Sequence, residues 1–165
     1  MSEQTVSLLV ETLGNALMAC DRMVVVAESC TGGGIARAMT DRAGSSRWFE
    51  CGFVTYSNQS KMKMLGVAAS TLEHFGAVSE ATAIEMARGA MINSHAHISV
   101  AVTGIAGPDG GTEQKPVGMV CFAWADQHNM SSTTLLFEGD RMAVREQSVL
   151  MAIQGLIDFI DQHIS

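Results

Sequence analysis

Met23-Val-Val-Val-Ala-Glu28-Ser29-Cys30-Thr31-Gly32-Gly33-Gly34-Ile35 is the stretch on which the fold of this chain turns. Met23 to Ala27 is a β-branched apolar run, which reads as a buried strand. It breaks into Ser, Thr and three glycines, and Ile35 to about Thr40 then reads as a helix. A strand that feeds a helix through small residues leaves N–H groups unpaired at the helix start. Such donors, with the helix dipole behind them, suit a phosphate or a developing oxyanion. Ser29 stands at that corner. From spacing alone three readings stay open: ordinary capping and turn residues, a phosphate cradle, and a nucleophile. The stretch lacks the Lys of a Walker A loop and fits neither G-x-G-x-x-G nor G-x-S-x-G.

Outward from that corner, the chain alternates helices and strands. Val6, Leu9, Val10, Leu13 and Leu17 recur at helical spacing up to about Cys20. Trp48 to Tyr56 reads as a second strand and Asn58 to Leu65 as a short helix. Gly66 to Gly76 is mixed, with one helical turn expected. Ser79 is placed to cap a helix from Glu80 to about Asn93, in which Ala87, Gly89 and Ala90 allow close approach to a neighbour. Ile98 to Val102 reads as a third strand. Val117 to Ala125 and Thr133 to Phe137 read as a hairpin across Asp126 to Ser132, and Asp140 caps a last helix striped by Val149, Ile153, Leu156 and Ile160. The alternation predicts an α/β domain with a mostly parallel sheet, to which the closing hairpin adds at least one antiparallel strand.

Composition narrows the function. With 165 residues, 47% of them hydrophobic and 16% charged, the chain can bury one core, and a single domain over 1–165 is expected. The net charge is −7 and the ten Lys and Arg are scattered, so the basic stripe of a nucleic-acid surface is missing. The four cysteines form no C-x-x-C pair, which suits a reducing compartment. No basic leader and no membrane-length apolar run is visible, so a cytoplasmic location without a membrane partner is expected.

Chemistry concentrates at strand ends. Ser29, the only tyrosine Tyr56, and Thr103 each fall at or just past the carboxyl end of an expected strand, the edge where parallel sheets bind ligands. Lys61 follows Tyr56 by about one helical turn. A Lys acts as base toward a Ser only when neutral, and bringing it from ~10.4 to about 7.5 costs about 4 kcal/mol. The Ser–Lys reading therefore requires an enclosed Lys61; otherwise Lys61 is a solvated charge and Tyr56 a rim aromatic. Ser60-Lys-Met-Lys63 matches S-x-x-K but has no S-D-N or K-T-G beside it. The loop Gly104 to Gly118 holds both prolines of the chain and is long enough to bind or cover something. Arg141 and Arg145 sit in the first turns of the last helix, where each opposes the dipole by ~0.3–1 kcal/mol unless an anion binds. His95 and His97 share a strand face, but no third metal ligand is near them in sequence. Cys30 is a rival nucleophile that nothing in the sequence marks as activated.

Ala27-Glu-Ser-Cys-Thr-Gly-Gly33, Ala43-Gly-Ser-Ser46, Gly52-Phe-Val-Thr-Tyr-Ser-Asn58, Gly76-Ala-Val-Ser79, Thr103-Gly-Ile-Ala-Gly-Pro-Asp-Gly-Gly111 and Lys115-Pro-Val-Gly118 together resemble the C-terminal domain family of the competence/damage-inducible protein CinA. Within that family the chain is similar to the stand-alone nicotinamide mononucleotide deamidases, which lack the molybdopterin-binding-like domain of the longer proteins. The resemblance implies a three-layer α/β/α sandwich with a five-stranded mixed, mostly parallel sheet. It implies hydrolysis of the carboxamide of nicotinamide mononucleotide to nicotinate mononucleotide and ammonia, without metal or cofactor. Ser29 would be the nucleophile and Lys61 the general base, with Tyr56 assisting. Cys30, Thr31, Gly32, Gly33, Ser45, Ser46, Thr103, Gly104, Ala106 and Arg145 would bind substrate, with N–H groups from Thr31 to Gly33 stabilising the oxyanion and Ser45, Ser46 and Arg145 as candidates for the phosphate. A homo-oligomer, with a dimer favoured, is also implied. The alternative is a non-catalytic nucleotide-binding sensor that uses the same crevice.

Overall fold

The computed structural model describes residues 2–164. Its elements run α1 (Glu3–Ala19), β1 (Val24–Glu28), α2 (Gly34–Thr40), a 3-10 turn (Ser45–Arg47), β2 (Phe49–Val54), α3 (Asn58–Leu65), α4 (Ala69–Phe75), α5 (Glu80–Ile92), β3 (Ile98–Gly104), β4 (Met119–Ala125), β5 (Met130–Leu136) and α6 (Arg141–His163). The caps act as expected: the Ser79 hydroxyl accepts from the Thr82 N–H and the Asp140 carboxylate from the Ala143 N–H, each supplying a partner for a helix-start donor. Two stretches differ from the sequence reading. The 66–76 segment contains a helix of two turns, α4. The last hairpin is tighter than expected, because the Asp126 carboxylate accepts from the N–H groups of His128 and Asn129 and closes the turn there. The Ser- and Thr-rich 130–136 segment then pairs along β4 as a half-exposed edge strand.

The five strands lie in the order β2-β1-β3-β4-β5. β1 pairs in parallel with β2 and β3, and β4 pairs antiparallel with both β3 and β5. Four strands thus run one way and β4 runs against them, the mixed three-layer α/β/α arrangement. Alternation along β1 sends Val24 and Val26 into a core shared with α1, α2 and α6, and Val25 and Ala27 into a second core with α5.

The chain leaves β1 outward to β2, then returns past β1 to β3. Right-handed crossovers in these opposite directions put α2 on one face and α3–α5 on the other. The strand order reverses at β1, and in a sheet of this order the ligand crevice opens at the carboxyl ends between β1 and β3.

One close approach governs how α3 sits. A Cβ added at Gly89 of α5 would lie 1.8 Å from the carbonyl oxygen of Leu65 at the end of α3, so only glycine lets the two backbones meet. Gly89→Ala must push α3 away. It is expected to lower stability by about 1–3 kcal/mol in urea titrations, through overpacking at a site that cannot yield.

Candidate active site

Two elements deliver the central pair. Ser29 is the first residue past β1, and the alternation that buries Val25 and Ala27 against α5 directs its side chain to the same face. Lys61 lies in α3, whose N-cap Ser57 accepts from the Ser60 N–H. The Lys61 ammonium nitrogen is 2.9 Å from Ser29 Oγ. Lys61 is 1% exposed and Ser29 7%.

The rest of the amine's surroundings are main chain. Lys61 Nζ donates to the carbonyls of Thr55 at 2.8 Å and Tyr56 at 3.3 Å. A neutral amine has two N–H bonds and one lone pair. With both N–H bonds on carbonyls, the lone pair is left for the Ser29 hydroxyl. No carboxylate of the described residues lies within ion-pair distance of Lys61. Burial accordingly lowers its pKa to about 8, and the nearby Cys30 thiol offsets this only in part.

The turn after Ser29 is pinned from two sides. Gly32 and Gly33 have φ of 58° and 96°, a left-handed path that side chains with a Cβ resist. On one side, Arg145 of α6 donates from Nε to the Cys30 carbonyl at 3.1 Å and from Nη2 to the Thr31 carbonyl at 3.3 Å. On the other, the fully buried Glu28 carboxylate accepts from the Ile35 and Ala36 N–H groups at 2.9 and 3.0 Å. The start of α2 is therefore not an open phosphate cradle. The chain's own carboxylate fills it, because Glu28 alternates toward α2 and a buried anion needs donors. The signal for this was a lone Glu at the end of an otherwise apolar strand.

The unpaired donors also differ from those expected. The Gly32 N–H bonds the Ser29 carbonyl and the Gly34 N–H bonds the Thr31 carbonyl. Among the described residues, the N–H groups of Cys30, Thr31 and Gly33 have no acceptor. These are the donors that an oxyanion beside Ser29 can use. The hydroxyls of Thr31 and Thr55 are likewise buried without a partner.

Other expected residues divide by position. Thr103 lies beside Ser29 in the β1–β3 register, and its hydroxyl donates to the Ala77 carbonyl at 2.8 Å. Gly104 ends β3 against Val120, with no room for a Cβ. The side chains of Cys30 and Ala106 turn into the α1/α2/α6 core, so only their main chain can face the crevice. Burial pushes the Cys30 thiol up to about 11, which counts against it as a rival nucleophile. Tyr56 touches Lys61 through its carbonyl only. The residue is 60% exposed, and its hydroxyl accepts from Arg141 at 3.0 Å.

Ser45 and Ser46 are not brought to Ser29 within the chain. They precede β2, whose Phe49 pairs with Val24 at the start of β1, whereas Ser29 follows its end. Five residues of strand, at ~3.3 Å each, separate the two edges. His97 Nδ1 accepts from the Met23 N–H, a structural role, and no three potential metal ligands gather among the described residues. No helix of the described residues is long and apolar enough to cross a membrane.

Comparison with known proteins agrees with this architecture. The CinA C-terminal domain profile matches residues 6–160. Nicotinamide-nucleotide amidohydrolase PncC of Escherichia coli K12 is 50% identical over 157 residues, covering 94% of this chain and 95% of that protein. The protein of the same name from Enterobacter agglomerans is 51% identical over 162 residues, covering 97% and 99%. The crystal structure of competence/damage inducible protein CihA from Agrobacterium tumefaciens superposes with a TM-score of 0.91 at 44% identity, covering 93% of this chain and 94% of that one.

The depressed Lys61 has a thermodynamic signature. Below pH 8 the amine is charged in both folded and unfolded chains; between about 8 and 10.5 only the unfolded chain keeps the proton. Stability must therefore rise with pH across that window, by up to about 3 kcal/mol. Denaturant titrations from pH 7 to 10.5 are expected to show this rise in the wild type relative to Lys61→Met.

Proposed function

The chain belongs to the CinA C-terminal domain family, and from that premise we propose that it is a nicotinamide-nucleotide amidase working through Ser29 and Lys61. It hydrolyses the carboxamide of nicotinamide mononucleotide to nicotinate mononucleotide and ammonia. The observation that carries the mechanism is the enclosed 2.9 Å contact between Lys61 Nζ and Ser29 Oγ.

The steps follow from the donors and acceptors present. Neutral Lys61 takes the Ser29 proton as Oγ attacks the carboxamide carbon. The carbonyl oxygen becomes an oxyanion, and the N–H groups of Cys30, Thr31 and Gly33, which have no other acceptor, stabilise it in this reading. Such preorganised donors usually contribute the largest share of acyl-transfer catalysis. The Lys61 ammonium then gives its proton to the amide nitrogen as the C–N bond breaks, and ammonia leaves. Lys61, neutral again, takes a proton from the water that attacks the nicotinoyl ester, and the resulting ammonium gives that proton to Ser29 Oγ as the acid departs.

Glu28 and Arg145 serve as positioning residues. By holding N–H groups on one side and carbonyls on the other, they fix the turn that carries the free donors. Tyr56 orients the base through its carbonyl, with its phenol turned to the mouth. The four free cysteines support a reducing compartment such as the cytoplasm, and the family resemblance supports a homodimer.

Ser29→Ala is expected to abolish ammonia release while leaving the circular dichroism and melting curve of the wild type; turnover at the wild-type rate would reject the mechanism. The wild-type kcat/KM should climb with pH and level off above an apparent pKa of about 8, since only neutral Lys61 accepts the serine proton. Because the contact to Lys61 is main chain, Tyr56→Phe should keep kcat within roughly fivefold, the worth of one exposed hydrogen bond.

A further inference from the structure

One cation at the crevice mouth has no part in these steps. Arg141, the first residue of α6, donates from Nη1 to the Gly107 carbonyl at 2.8 Å and from Nη2 to the Tyr56 hydroxyl at 3.0 Å. These bonds join three segments around the crevice: the β2–α3 connection, the β3–β4 loop and the start of α6. Both partners are neutral. The adjacent Asp140 carboxylate is turned onto the Ala143 N–H as a helix cap. The ion pairs among the described residues are Arg37–Asp41 and Arg42–Glu11, so the Arg141 charge is unmatched.

The competing cations are engaged elsewhere. Arg145, like Arg141, keeps three donors after two bonds, but its bonds are to the turn beside Ser29 and the residue is half-buried where Arg141 is exposed. Lys61 is enclosed against Ser29. Lys115 donates to the Phe75 carbonyl. Arg141 is exposed, and a guanidinium has five N–H donors, so three remain after its two bonds.

Position along the substrate follows from Tyr56. Its carbonyl touches Lys61 Nζ and its hydroxyl touches Arg141, so one tyrosine side chain separates the base from the guanidinium. If the amidase reading holds, the carboxamide carbon must meet Ser29 Oγ, and the ring, ribose and phosphate must extend toward the mouth over a comparable span.

We propose that Arg141 receives the 5′-phosphate of the mononucleotide and makes the site selective for the ribotide over the riboside. The inference rests on the amidase reading above. The Gly107 carbonyl and Tyr56 hydroxyl hold the guanidinium plane in place before substrate arrives, so little freedom is lost on binding. Its remaining donors match the paired acceptors of a phosphate, which a lysine at the same place would meet only as a point charge.

The test measures ammonia release from nicotinamide mononucleotide and from nicotinamide riboside, the riboside being used as a competitive inhibitor where its turnover is too slow. Arg141→Gln is expected to raise KM for the mononucleotide about tenfold or more, with kcat within about twofold. Its KM or inhibition constant for the riboside should match the wild type. Arg141→Lys should recover part of the loss, and Lys115→Gln should leave the ribotide preference intact. Equal losses on both substrates would mean that Arg141 only braces the loops, and an unchanged ribotide KM, or collapse of the preference in Lys115→Gln, would also overturn the assignment. A wild type that releases no ammonia from the mononucleotide would remove the amidase reading itself. Normal wild-type turnover with an unaltered Arg141→Gln would remove only the phosphate assignment.

Discussion

A lysine amine buried without a counter-charge is the constraint around which this molecule is arranged. Water would solvate the Lys61 ammonium far better than two carbonyls and a hydroxyl do, so the folded protein works against protonation. That cost lowers the pKa of the amine to about 8. It has to be offset by packing elsewhere. The contact of α3 with α5, made backbone to backbone at Gly89 and Leu65, provides the support that holds Lys61 inside.

The same logic explains the turn that follows Ser29. A hydroxyl on a loose loop would be a poor nucleophile and its neighbouring N–H groups a poor oxyanion site, since both depend on fixed orientation. Here Glu28 satisfies the start of α2 from beneath, and Arg145 clasps the Cys30 and Thr31 carbonyls from α6. Their charges act on the main chain rather than on a ligand. What remains unpaired is a short set of N–H groups beside Ser29, together with the buried hydroxyls of Thr31 and Thr55.

Topology decides which loops can take part. Reversal of strand order at β1 sets the crevice between β1 and β3, and the register of that pair sets Thr103 alongside Ser29. The antiparallel β4 then returns the chain so that the 104–118 loop rises at the same edge, where Gly107 meets Arg141. Three sequence-distant segments thereby share one rim, while Ser45 and Ser46, placed before β2, are carried to the far edge.

Much of this was legible in the residues alone. The apolar run to Ala27, the glycine corner, the caps at Ser79 and Asp140 and the alternation of helices with strands specify an α/β sheet with its chemistry at strand ends, because periodicity and capping are local properties. The requirement that Lys61 be enclosed also followed from sequence, as a matter of pKa. The direction in which each side chain spends its hydrogen bonds was not legible. Glu28 fills the helix start that looked like an anion site, Arg145 braces a turn, Tyr56 offers Lys61 a carbonyl and Arg141 a phenol, and Cys30 faces the core. Sequence order determined which groups arrive at the carboxyl edge; only the packing of α2, α3 and α6 against the sheet decided which are spent on the protein itself and which stay free, because a donor's partner depends on atoms brought together from far along the chain.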